Sequence, residues 1–198
     1  MTPHSDTQST FIFQRITIIG IGLIGSSFSR ALKSKAGLVQ EIIATDSDKD
    51  NLAKASDLGI VDTICDDINE AVSRSDCVIL CTPIGTYEKI VKQIAPSLLA
   101  GCVLSDVGSV KAQPIEKIIP YLPHNVHLVP GHPIAGTEES GPAAGQKDLF
   151  HNRWNIISPS TNAKKEHIEK VKKFWEKRYM LCLLYTSDAA DEGLGVDL

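Results

Sequence analysis

A chain of 198 residues has room for one large domain or two small ones. With 42% hydrophobic and 22% charged residues it can bury a sizeable core, and a net charge of −4 gives no global electrostatic reason to bind nucleic acid. No apolar run approaches the ~18 residues of a membrane span. The first ten residues are polar and lack the apolar stretch of an export signal, so a cytoplasmic protein with no membrane or nucleic-acid partner is expected.

Five cysteines (Cys65, Cys77, Cys81, Cys102 and Cys182) form no CxxC pair and have no histidines at metal-ligand spacing. Buried, reduced thiols are expected, and no metal.

Residues 1–13 read as a disordered arm. Short, continuously apolar runs then alternate with amphipathic stretches. The runs are Ile16–Ile19, Glu41–Thr45, a weaker Thr63–Cys65, Cys77–Cys81, Cys102–Ser105 and Val126–Val129. Runs that are apolar throughout, rather than alternating, predict parallel strands covered on both faces. The intervening segments carry helical spacing at Ile24, Phe28, Ala31 and Leu32, and again at Ile90, Val91 and Ile94. Asp48 and Ser109 are candidate N-caps, and Pro96 and Pro120 fall near helix ends. The repeated β-α-β alternation predicts an α/β fold with a doubly wound parallel sheet over residues 14–161. From Gly131 to Gly145 the pattern breaks into a loop rich in Gly, Pro and Ala. Trp154–Ser158 reads as a short extra strand. Asn162 is expected to cap a linking helix over residues 162–180, basic on its solvated face, with an apolar stripe at Ile168, Val171 and Trp175. Residues 181–198 hold four acidic and no basic side chains and read like translated sequencing adapter, so this tail is expected to be non-native.

Gly20-Ile21-Gly22-Leu23-Ile24-Gly25 follows the first strand directly and opens a helix. In that context GxGxxG predicts a dinucleotide site of the Rossmann kind. Gly20 makes the tight turn, Gly22 lets a pyrophosphate approach the backbone, and Gly25 lets helix and strand pack closely. The N–H groups of the first helical turn, at Leu23 and Ile24, then face the phosphates. A merely tight strand–helix turn is the plainer reading. Asp46 ends the second strand about twenty residues further on, where a carboxylate hydrogen-bonds the adenosine ribose and repels an added phosphate, so NAD is expected over NADP. Asp46 could instead cap the next helix. Ligands in such sheets lie beyond the carboxyl ends of the strands, which selects Thr82-Pro83, the loop Asp106–Lys111 and the segment Gly131–Glu138. His132 is the best acid–base candidate of the six histidines, held between glycine and proline. It could also be purely structural, and Ser109 could be only a helix cap.

The segments Gly20–Ser27, Asp106–Lys111 and Gly131–Glu138, in that order, resemble prephenate dehydrogenase, and within that family the bacterial cyclohexadienyl (arogenate) branch. The resemblance covers residues 14 to about 180. It implies NAD-dependent oxidative decarboxylation of prephenate to 4-hydroxyphenylpyruvate, or of arogenate to tyrosine, in tyrosine biosynthesis. His132 would then assist loss of the substrate hydroxyl proton, Ser109 would orient it, and Thr137 and Glu138 would lie near the site mouth. It also implies a C-terminal helical dimerisation domain that this chain is expected to lack, so homodimers are expected of the full-length protein only. Few cations beyond Lys111, Lys147 and Arg153 could meet a dianionic substrate, and turnover by this chain alone is expected to be poor. The alternatives are another hydroxyacid-type dehydrogenase and a non-catalytic NAD-binding redox sensor.

Overall fold

The computed structural model describes residues 11–34, 37–110, 112–177 and 180–185, without the side chains of 112–114. The arm up to residue 10, Lys111 and the tail beyond residue 185 lie outside the described residues.

Six parallel strands form the main sheet: β1 (Phe13–Ile19), β2 (Val39–Thr45), β3 (Thr63–Ile64), β4 (Cys77–Leu80), β5 (Val103–Asp106) and β6 (His127–Leu128). Their order is β3-β2-β1-β4-β5-β6, all pairs parallel, which is the doubly wound Rossmann arrangement with its reversal of strand order beside β1. The connecting helices are α1 (Leu23–Lys33), α2 (Lys49–Asp57), α3 (Ile68–Val72), α4 (Tyr87–Ile94) and α5 (Ala112–Ile118).

The apolar runs are continuous because helices cover both faces of the sheet. Ile16, Ile18, Cys77, Ile79 and Val103 point into one core, shared with Phe28 of α1 and Leu52 of α2. Their neighbours Ile19, Val78, Leu80 and Leu104 point into the other, against Tyr87, Val91 and Ile94 of α4. Period-two alternation thus survives inside each run, but both sets are apolar. Phe13, placed in the arm by the sequence reading, opens β1 and is fully buried.

A second sheet departs from the expected loop. Gly131–Pro133 forms β7, antiparallel to β8 (Trp154–Ile157), and β8 pairs in parallel with β9 (Leu181–Leu184). The final helix, α6 (Lys165–Glu176), starts later than Asn162 predicts, with Lys164 at the N-cap and no side-chain cap. Asn162 is committed elsewhere: its Nδ2 donates to the Val126 carbonyl at 3.0 Å. The helix buries Val171, Phe174 and Trp175. The Phe174 ring meets Phe13 edge-on at 5.3 Å, and Trp175 lies 4.9 Å from Phe28. The helix is therefore part of the main core. On its other side His167 stacks on the buried His127 with centroids 3.6 Å apart.

Candidate active site

The three glycines of the first turn prove to have three different surroundings. Gly20 has φ +93°, and a Cβ there would lie 2.8 Å from Thr82 Cγ2 and 2.9 Å from the Cys81 backbone. It is both left-handed and pressed against the chain leaving β4, which only glycine tolerates. At Gly25 a Cβ would lie 2.1 Å from the Gly20 carbonyl oxygen, so this glycine permits α1 to pack on the turn. At Gly22 a Cβ would meet nothing within 4 Å. Gly22 is also the N-cap of α1 and offers no side-chain cap. The first-turn N–H groups, Leu23 and Ile24 among them, thus carry no side-chain cap at the positive end of an eleven-residue helix. A helix N-terminus of this kind is suited to an anion such as a pyrophosphate.

Asp46 braces the same turn. Its Oδ2 accepts from the Ile21 N–H at 2.7 Å and its Oδ1 from the Asp48 N–H at 2.9 Å. The cap of α2 is Asp48, which accepts from Asp50 N–H at 2.9 Å. The carboxylate of Asp46 is thus left to the turn and to the cleft beside it, and is not spent on the helix.

That cleft, about 380 Å³, opens at the reversal of strand order. Gly20, Asp46, Thr82 and Pro83 all line it. Thr86 holds the loop after β4 in place: its hydroxyl donates to the Pro83 carbonyl at 2.7 Å and shares a hydrogen bond with the Thr82 hydroxyl at 2.9 Å. Sequence reasoning did not single out Asp66, Ile68, Thr86, Lys89 and Gln93, which also line the cleft. The signal was present for α4: Thr86, Lys89 and Gln93 recur at helical spacing, beside the apolar stripe Tyr87, Val91 and Ile94. Asp46 and Asp66 put two carboxylates on one cleft; Lys49 reaches Asp66 at 3.6 Å, and Lys89 lines the same cleft.

The remaining expected residues lie on the segments after β5 and β6. Ser109 is exposed in the loop beyond β5, upstream of α5, whose described residues begin at Ala112. His132 is half-buried in β7, opposite Ile156 of β8, so a strand register and not a loop fixes its position. Thr137 and Glu138 sit on an exposed stretch, where the Thr137 hydroxyl accepts from the Glu139 N–H at 3.3 Å. Lys147 lies beside Arg30 and Lys33 around the last turn of α1, at the far end of that helix from Gly22.

The element joining these segments is Asp106, the last residue of β5 and 2% exposed. Its Oδ2 accepts from the Gly108 N–H at 2.9 Å and from the Tyr87 hydroxyl at 3.1 Å, and its Oδ1 accepts from the Gly131 N–H at 3.3 Å. Tyr87 is itself buried, and burial, with the Asp106 charge second, pushes its phenol far above the ordinary range. The protonated phenol is the donor to Asp106.

A family model for the nucleotide-binding domain of prephenate dehydrogenase matches residues 28–180. The chain is 35% identical over 168 residues to a cyclohexadienyl dehydrogenase of Zymomonas mobilis, covering 84% of this chain and 56% of that protein. It is 32% identical over 158 residues to a prephenate dehydrogenase of Bacillus subtilis, covering 79% of this chain and 42% of that protein. The chain thus spans about half the length of these curated relatives. Among solved structures, prephenate dehydrogenase from Aquifex aeolicus in complex with hydroxyphenyl propionate and NAD+ superposes with a TM-score of 0.80 at 29% identity, covering 90% of this chain and 62% of that one. Arogenate dehydrogenase from Synechocystis gives 0.78 at 24% identity, covering 91% of this chain and 63% of that one.

Proposed function

The chain belongs to the prephenate dehydrogenase family through its nucleotide-binding domain, and from that premise we propose that it is the cofactor-binding part of an enzyme that oxidatively decarboxylates prephenate or arogenate with NAD. The observation that carries the reading is the uncapped, unobstructed N-terminus of α1 at Gly22, next to a cleft bearing the Asp46 carboxylate. Gly22, Leu23 and Ile24 would take the pyrophosphate, and Asp46 the adenosine ribose. Thr82 and Pro83 would hold the chain of the cofactor against the end of β4.

NAD, when bound, supplies the hydride acceptor for the ring carbon that carries the substrate hydroxyl. His132 would accept the hydroxyl proton, a task suited to an imidazole near neutral pH. Ser109 would hydrogen-bond the substrate hydroxyl or the imidazole, and Thr137 and Glu138 would stand at the mouth. Aromatisation with loss of carbon dioxide supplies much of the driving force, so the residues' work is orientation and one proton transfer.

Calorimetric titration of the chain with NAD and NADP, followed by NADH formation with prephenate and with arogenate in a protein of the relatives' length, tests this. The expected results are binding of NAD in preference to NADP, and turnover that falls on His132→Gln with NAD affinity kept. Binding of neither nucleotide would refute the assignment. Turnover that is indifferent to His132 would move the chemistry to another hydroxyacid-type enzyme, and NAD binding with no turnover would favour a sensor.

A further inference from the structure

We propose that Asp106 and Tyr87 are positioning residues: together they set where the Ser109 loop and His132 stand relative to the cofactor cleft. This rests on the function proposed above, which puts the proton transfer at His132.

Three segments that are remote in sequence meet at one buried carboxylate. Tyr87 opens α4, directly behind the Thr82–Thr86 wall of the cleft. Gly108 precedes Ser109, and Gly131 precedes His132. Asp106 accepts a hydrogen bond from each of the three. Two of these donors are backbone N–H groups with one direction each, so they locate the backbone itself and with it the adjoining side chain.

Close packing supports the same reading. A Cβ at Gly108 would lie 2.9 Å from Ile84 Cγ1 and 3.0 Å from both Asp106 Oδ2 and the Tyr87 hydroxyl. A Cβ at Gly131 would lie 3.1 Å from the Asp106 carbonyl oxygen. Both glycines beside the candidate catalytic residues are therefore explained by their approach to this one centre. An acceptor with two oxygens serves all three donors. An amide in its place has only one acceptor oxygen and turns a donor toward an N–H or the phenol. The linkage is also protected: Asp106 is 2% and Tyr87 1% exposed, so water does not readily substitute for a lost partner.

Asp106→Asn and Tyr87→Phe, each in the full 198-residue chain, separate positioning from general stability. The readouts are the amide resonances of Gly108, Ser109 and Gly131 and the pH titration of the His132 imidazole, followed by NMR. The Ile21 amide, bonded to Asp46, serves as control. The expected result is displacement of the three amides and a shifted His132 midpoint. The Ile21 amide should stay put and the NAD affinity within about twofold, since the glycine turn and Asp46 are untouched. Tyr87→Phe, which keeps the ring and removes one donor, should displace the same resonances by less. If Asp106→Asn fails to fold, Tyr87→Phe decides alone. Folded variants with unmoved Ser109 and His132 signals overturn the proposal. In a protein that turns over prephenate or arogenate, kcat should fall about 100-fold with KM for NAD unchanged, the scale expected from a misplacement of ~1 Å. Absence of turnover in the unmutated protein counts against the proposed function, whereas the NMR result still decides the positioning role.

Discussion

Substituting alanine separately at Gly22 and Gly25 should have opposite consequences, although the two lie three residues apart in one motif. At Gly25 the added methyl would sit 2.1 Å from the Gly20 carbonyl oxygen, with Ile18 Cγ2 and the Gly20 carbonyl carbon at 3.2 Å. Contact distance is ~3.5 Å, and the obstacle is backbone, so the helix or the turn must move. Overpacking of this kind costs roughly 1–3 kcal/mol, and a backbone obstacle puts Gly25→Ala near ~3 kcal/mol. Alanine's better fit to a helix returns ~0.5–1 kcal/mol, leaving about 2 kcal/mol. For a domain of this size that lowers Tm by roughly 4–8 °C. At Gly22 the methyl meets nothing within 4 Å and φ is an ordinary −67°, so Gly22→Ala should cost no more than about 1 kcal/mol, for replacing a favoured N-cap residue by a poor one. It nevertheless occupies the space through which a pyrophosphate reaches the backbone, and NAD affinity should drop at least about tenfold, or ~1.4 kcal/mol. Thermal melts followed by circular dichroism and calorimetric NAD titrations give both numbers. Gly22→Ala binding NAD like the unmutated chain, or Gly25→Ala melting at an unchanged temperature, would refute the division of labour between the two glycines.

Asp46→Ala strips the acceptor from the buried Ile21 N–H, and an orphaned buried donor costs about 1–3 kcal/mol, so a lower Tm should accompany weaker NAD binding. A melt that is unchanged while binding is lost would mean the carboxylate serves only the ligand. Phe174→Ala should destabilise the chain by ~3–5 kcal/mol, because its ring packs edge-on against Phe13 and Phe28 inside the main core. Denaturant unfolding monitored at Trp175 should then show a single, earlier transition. His167 is held below its ordinary pKa by burial first and by His127 second. Glu166 opposes that shift, while Lys164 and Lys170 reinforce it. The folded state therefore favours the neutral ring. The contribution is complete above the unfolded pKa of about 6.5 and is lost as pH falls below it. Tm should decline on acidification from about pH 7.5 to pH 5.5, and His167→Gln should flatten that decline.

The glycine turn, the strand runs and Asp46 were legible in the sequence because their causes are local. A left-handed glycine, an apolar run of four or five residues and a carboxylate at a strand end each follow from chain geometry within a few residues. Tertiary structure alone decided which glycine faces open space and which faces backbone, since that depends on where α1 lies against β1. It likewise placed His132 on a strand. Residues Gly131–Pro133 lack any periodic signal, and they become β7 only because Trp154–Ile157 arrives alongside to pair with them. Asn162 shows the same limit from the other side: a good capping residue is diverted when the Val126 carbonyl comes within reach. The centre at Asp106 was invisible for that reason as well. Donors to it come from residues 87, 108 and 131, and nothing in a linear chain marks them as neighbours until the parallel sheet brings the ends of its strands to one edge.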